Sequence, residues 1–352
     1  MATFKRFEDD DIVISTDKSF TSTWTNNVNN LTAIYTSSTQ ANWSTATSSA
    51  QFYLDVYNAD PLISSSAEVQ FSVSYGNVNG SGSINFTNNT GSFGYSATKD
   101  IYSQYRSLVF GGDETQQFTF NTVTPNDIYV INVERARYKQ SLKPGSLNLV
   151  LSASDGGGNL FLTDDSVTTS GSATITPVGR QFNIVSGSSG VMQGTDLGQT
   201  NSGSYGLYYP DAGFAILNPS ALDLASTDGG IALGTQRNPT TPSGTNTDQN
   251  NERLYLNISG AGNFIVDSEE AISSQYFFAR VKNRDFNYTS NPSYIDNEGN
   301  LRFTSMIDDP TTYITTIGLY NDNNDLIAVA KLSQPLTKDF TKEALIKVKL
   351  DY

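Results

Sequence analysis

Alternation of apolar and polar positions is the commonest pattern along this chain. In AEVQFSVSYGNV, Val69, Phe71, Val73 and Tyr75 fall on one side and Gln70, Ser72 and Ser74 on the other, the two-residue period of a half-buried strand. NDIYVINVERARYKQSLKPGSLNLVLSAS predicts a strand through Val133, a polar stretch around Arg135 and Arg137, and a turn at Pro144-Gly145. A second strand follows, in which Leu147, Leu149 and Leu151 alternate. Toward the C-terminus RLYLNISG, QYFFARVKN, NLRFTSMI, TTYITTIGLY, DLIAVAKLS and EALIKVKLDY all read as strands, rich in β-branched and aromatic side chains. A helical period occurs in DIYSQYRSLVFGG, where Ile101, Tyr105 and Leu108 share a face and Gly111 stops the helix.

Between these elements the chain is punctuated by polar stretches. From Ser15 to Ala59, Thr, Ser and Asn crowd around the isolated aromatics Trp24, Tyr35, Trp43 and Phe52. Such side chains compete for backbone hydrogen bonds and disfavour regular helix. Two readings remain, an irregular arm with a few strands or a compact β layer of the next domain. DGGGN at Asp155 to Asn159 is a domain boundary or an exposed loop, and RNPTTPSGTNTDQNNE is a linker candidate. The expected fold is mainly β and multi-domain, with short antiparallel strands in sandwich-like modules and few short helices. The expected divisions are an N-terminal arm or irregular β segment at 1–60 and a β-rich domain with a short helix at 61–155. A Gly/Ser/Thr-rich β domain ending in a linker follows at 156–250, then a C-terminal β domain at 251–352.

Composition narrows the function classes. A chain of 352 residues and 38.2 kDa suggests two or three domains. Its 19 Tyr and 19 Phe argue against disorder, because each large ring can anchor a small core. The formal net charge of −14 repels phosphate backbones and anionic lipid, so neither nucleic acid nor membrane is an expected partner. No apolar stretch is long enough to span a bilayer. MATFKRFEDDDIVIS turns acidic at Glu8 to Asp11 before any apolar run, which does not read as a secretion signal. A protein made in the cytoplasm and soluble until used is the expectation.

The absence of Cys and His removes Ser-His-Asp and Cys-His nucleophiles, thiolate or imidazole zinc sites, and haem held by His or Cys. Carboxylate chemistry survives, and Glu269 with Glu270, Asp308 with Asp309, or Asp164 with Asp165 supply acid pairs. Adjacent acids on a strand point to opposite faces, however, which favours solvated surface over catalysis. NDNND at Asn321 to Asp325 and DNEGN at Asp296 to Asn300 lack the distant glutamate of an EF-hand and read as turns. Gly156 to Gly158 lacks the helix and Lys-Ser/Thr of a phosphate loop. The N-x-S/T triplets at Asn42, Asn85 and Asn257 are expected by chance in so Asn-, Ser- and Thr-rich a chain. No catalytic, cofactor-binding or metal-ligating residue is assigned, and neither enzyme activity nor a cofactor is expected.

The C-terminal strands carry the candidate site. In TTYITTIGLY, Tyr313, Thr315, Ile317 and Leu319 share one face and Ile314, Thr316, Gly318 and Tyr320 the other. In LIKVKL, Ile346, Val348 and Leu350 oppose Lys347 and Lys349. Lys331, Lys338, Lys342, Lys347 and Lys349 gather in this tail of an acidic chain. They fit docking onto an acidic neighbour, including another copy, or protection of an edge strand. The candidate interaction residues are Tyr313, Leu319, Tyr320, Lys331, Lys347 and Lys349.

Three stretches resemble a known group: RFTSMIDDPTTYITTIGLYNDNNDLIAVAKLSQPLTKDFTKEALIKVKLDY, INVERARYKQSLKPGSLNLVLS, and GLYYPDAGFAILNP at Gly206 to Pro219. They are similar to virion structural proteins of T4-like contractile-tailed phages, especially cyanophages, from the tail and baseplate region. The resemblance implies a structural subunit located in the virion, partnered by other virion structural proteins in a homo-oligomer or symmetric multi-copy assembly. A receptor- or carbohydrate-binding tail module, a neck or head decoration protein, and a polysaccharide depolymerase are the alternatives.

Overall fold

The computed structural model describes residues 4–36, 53–81, 97–168, 173–193, 198–199, 203–237, 250–289 and 291–351. Trp43, Phe52, the triplets at Asn42 and Asn85 and most of the linker candidate lie outside the described residues. The first strands are β1 (Ile12–Ser22), β2 (Tyr53–Tyr57), β3 (Val69–Asn77), β4 (Asp127–Val133), β5 (Ser141–Leu142), β6 (Asn148–Leu151) and β7 (Leu160–Asp164). Next come β8 (Thr174–Thr176), β9 (Gly179–Ser188), β10 (Val191–Met192), β11 (Gly198–Gln199), β12 (Gly203–Ser204), β13 (Gly206–Tyr209) and β14 (Phe214–Leu217). The last are β15 (Phe264–Ile265), β16 (Asp267–Val281), β17 (Thr312–Tyr320), β18 (Leu326–Lys338) and β19 (Ala344–Asp351). The helices are α1 (Ala97–Phe110), α2 (Pro219–Leu222), α3 (Asn250–Ala261) and α4 (Ser305–Asp308). The fold is mainly antiparallel β, built from one curled main sheet and several smaller ones.

Two compact units divide the chain: unit 1 is Met1–Lys18 with Ala271–Tyr352, and unit 2 is Ser19–Glu270. The division falls inside β1 and inside β16. It does not follow the four expected segments, because the main sheet pairs strands drawn from all four of them. Across DGGGN, β6 pairs with β7, so this stretch is an exposed loop within a sheet; further along, β15 pairs with β6.

The main sheet of unit 2 runs β15-β6-β7-β9-β13-β14-β4-β3-β2, with β8 and β10 beside β9. Its central strands are buried on both faces. From β4, Tyr129, Ile131 and Val133 join one apolar layer and Ile128 and Val130 the other; β14 likewise divides Ala215 and Leu217 from Phe214 and Ile216. Continuous apolar runs are what a doubly covered strand requires. β4 and β14 pair antiparallel, Ile216 opposite Val130, which brings INVERARYKQ and GLYYPDAGFAILNP side by side. In the turn between β13 and β14, Gly213 has φ 76°, and a Cβ there would lie 2.6 Å or less from three atoms of the Tyr138 phenol.

Four expectations need correction. β3 is buried nearly throughout rather than half-buried: Gln70 and Ser74 are enclosed too, and α1 lies so close that a Cβ on Gly76 would sit 2.9 Å from the Tyr102 backbone nitrogen. α1 buries Tyr102 and Val109 with Tyr105 beside them, one residue away from the expected face, and Leu108 is exposed. RLYLNISG is not a strand but lies in α3; its Leu254 and Ile258, four apart, enter the core while the alternating Leu256 faces out. NLRFTSMI is not a strand either: Leu301 makes a single bridge to Ile295 and Ser305 begins α4. The N-terminal polar stretch supplies Trp24, Leu31 and Ile34 to the unit 2 core, as the β-layer reading requires.

In unit 1, β19 pairs antiparallel with β16 from Ser274 to Val281, and β17 and β18 form a separate two-stranded sheet. Both apolar core clusters belong to unit 2. Among the described residues, the buried hydrophobic side chains of unit 1 are Val281, Met306, Leu319 and Val348.

Candidate functional site

The hairpin of β17 and β18 starts from its turn. Asn321 Oδ1 accepts hydrogen bonds from the Asn323 and Asp325 backbone N–H at 3.0 and 2.8 Å, and Asn324 takes a left-handed φ of 63°. The turn at Asp296 to Asn300 repeats this plan. There Asp296 Oδ1 accepts from the Glu298 and Asn300 N–H, with Gly299 at φ 88°. The leading side-chain oxygen of each motif, Asn321 Oδ1 and Asp296 Oδ1, is therefore occupied by the turn's own backbone. No group of three or more potential metal-ligating side chains occurs among the described residues.

Register then assigns the faces. Leu319 lies opposite Ala328 and Ile317 opposite Ala330 on one side; Gly318 faces Val329 and Thr316 faces Lys331 on the other. Shifts in register between Ile314 and Thr316 and between Leu319 and Tyr320 interrupt the ladder, and Pro335 withholds one donor. Ile327 is 66% exposed, Tyr313 61% and Val329 57%, with Tyr320, Leu326 and Leu336 also exposed. The ribbon is therefore the candidate contact surface, by its exposed apolar area alone.

The predicted site residues separate into three groups. Tyr313, Tyr320 and Lys331 are exposed on the hairpin, and the Tyr320 ring meets Phe4 edge-on with centroids 4.9 Å apart. Leu319 is 6% exposed, so it supports the hairpin from within. Lys347 and Lys349 stand on the β16–β19 sheet. The Lys347 ammonium lies 4.0 Å from the Tyr276 ring centroid, and Lys349 pairs with Asp351 at 2.9 Å. That hydrogen bond to Asp351 raises the Lys349 pKa, while Asp351 is lowered first by Ser274 and then by Lys349.

Two features escaped the sequence reading. Lys338, grouped there with the surface lysines, is wholly buried in unit 1. The apolar character of both faces of LIAVAKL was the available signal for the hairpin surface, since a strand wet on one side alternates. Phe286 is a further outlier, an exposed bulky residue at φ 55° whose carbonyl accepts from the Thr312 hydroxyl at 2.8 Å.

Asp164, Asp165 and Glu270 of the acid pairs each have partners of their own. Asp164 accepts from the Gly145 N–H, and Asp165 from the Asn183 N–H and side-chain amide, each at about 2.9 Å. Burial raises the Asp164 pKa, opposed by hydrogen bonds from Ser166 and Gly145. Glu269 is buried, Glu270 pairs with Lys139, and Asp308 and Asp309 end α4. Asp127 is buried and held by Arg237 Nε at 2.6 Å and by the Tyr75 hydroxyl at 3.1 Å; Arg237 also reaches Asp223 at 2.7 Å. Asn257, of the third N-x-S/T triplet, is buried in α3. No helix among the described residues is long and apolar enough to cross a membrane. No family profile, curated protein or solved structure matches the chain.

Proposed function

We propose that this chain is a non-enzymatic structural subunit of a contractile-tailed phage virion, a tail or baseplate component that assembles through β-rich interfaces with other virion proteins. The exposed apolar hairpin of β17 and β18 carries this reading, because such a ribbon gains stability when another protein surface covers it. The resemblance of the same segment to virion proteins supplies the setting. The protein is made in the host cytoplasm and resides in the particle.

Electron microscopy of purified particles labelled with Fab fragments against residues 300–352 tests the proposal. Label at the tail end is the expected result. Label at the neck or head relocates the subunit and overturns the baseplate assignment. Absence of the chain from both intact and denatured particles overturns the virion reading altogether. Binding on a glycan array would favour a receptor-binding tail module instead.

A further inference from the structure

Unit 1 has more apolar surface than its own fold covers. Its four buried hydrophobic side chains contrast with more than a dozen large exposed ones, among them Phe4, Ile14, Tyr313, Ile327, Val329 and Leu345. Unit 2 shows the opposite balance, with two apolar layers around one sheet. The difference does not come from composition, since unit 1 contains QYFFARV, TTYITTIGLY and DLIAVAKL. It arises because β17–β18 exposes side chains on both faces, while β19 exposes one face, with Leu345 on it, and leaves Ile346 and Leu350 on the other only half-buried.

We infer that the core of unit 1 is completed by unit 1 of a second copy of this chain. Area supports this: half-exposed side chains of this size leave on the order of 50–100 Å² each. Summed over all faces of unit 1, more than a dozen of them match the roughly 800 Å² per partner of a stable protein interface. Charge selects the partner surface. The acidic excess is concentrated in unit 2, whereas acids and bases nearly balance in unit 1, so contact between two copies of unit 1 meets the least repulsion. Identical copies also bring identical uncovered faces, which suits a symmetric assembly. This deepens the assembly reading by naming the partner, and rests on it only for the premise that the hairpin is a contact surface.

Sedimentation of the full chain, with hydrogen exchange, tests the inference. The wild-type protein is expected to sediment at a multiple of its 38.2 kDa mass, with hairpin amides more protected at high concentration. The double variant Ile327→Glu, Val329→Glu alters two exposed side chains and is expected to weaken association at least tenfold. Amide protection in Ser19–Glu270 should stay unchanged, which separates lost association from lost folding. A wild-type protein that remains monomeric up to its solubility limit overturns the inference, as does a double variant that associates like wild type. Self-association without incorporation into particles would overturn the virion proposal and leave this inference standing.

Discussion

Lys338 donates from Nζ to Asn287 Oδ1 at 2.7 Å inside unit 1, and two further hydrogen bonds of the same length reach the Asn283 and Asp339 carbonyl oxygens. The three ammonium protons thus meet three neutral oxygens, and among the described residues no carboxylate forms an ion pair with Lys338. Asn287 in turn donates from Nδ2 to the Asn283 carbonyl at 2.7 Å, so the lysine ties the loop after β16 to the end of β18. Lys338→Met would keep the volume and leave Asn287 Oδ1 without a donor, while the Asn283 and Asp339 carbonyls keep Asn287 Nδ2 and the Lys342 N–H as donors. Each buried unsatisfied group costs about 1–3 kcal/mol. The expected outcome is faster amide exchange across 283–287 and the hairpin base, with unit 2 amides unaffected.

Arg237 and Asp127 set a pH-dependent contribution in unit 2. Burial pushes the Asp127 carboxyl above its ordinary range, while Arg237 pulls it down. A raised folded-state pKa means that Asp127 favours folding most below the ordinary carboxylate range and loses that contribution as pH rises through the raised value. Arg237→Met removes the opposing cation and raises that value further. The variant should therefore be destabilised most at neutral pH, by about 2 kcal/mol after discounting for the partly exposed guanidinium. The deficit should shrink once the medium is acidic enough to protonate Asp127. Urea denaturation of both proteins at neutral and acid pH reads the difference.

Leu254 and Leu256 distinguish helix from strand at RLYLNISG. A strand with alternating faces would bury both, whereas α3 buries Leu254 and exposes Leu256. Leu254→Ala should cost about 2–5 kcal/mol, and Leu256→Ala less than about 0.5 kcal/mol. Chemical denaturation of the two single variants checks the contrast.

That segment also shows where the sequence was ambiguous. Leu254, Leu256 and Ile258 satisfy a two-residue period, and Leu254 and Ile258 alone satisfy a helical one. Packing against the unit 2 core decided between them. Likewise Val69, Phe71, Val73 and Tyr75 revealed β3, but the cover on its second face came from α1, a contact that depends on Gly76 and Tyr102 meeting in space. β17, β18 and β19 were legible because their apolar residues and turns agree locally. What the strands could not disclose was burial of Lys338 or of Leu319, since each depends on which segments pack around it.

The β17–β18 turn offers the last test, because its geometry holds the proposed contact surface in register. Asn324 occupies the left-handed position that Gly299 fills in the matching turn at Asp296 to Asn300. A β-branched side chain there meets its own backbone, so Asn324→Val should destabilise the hairpin by about 1–2 kcal/mol. Asn324→Gly supplies the residue used by the other turn and should be neutral or slightly stabilising. Asn321→Ala removes the acceptor for the Asn323 and Asp325 N–H, groups that water can reach in this exposed turn, and should cost no more than about 1 kcal/mol. Amide exchange across Thr312–Lys338 measures all three variants. An order of Gly at or above wild type, then Ala, then Val is the expected outcome, whereas equal protection in Gly and Val variants would show that left-handed geometry does not hold the hairpin.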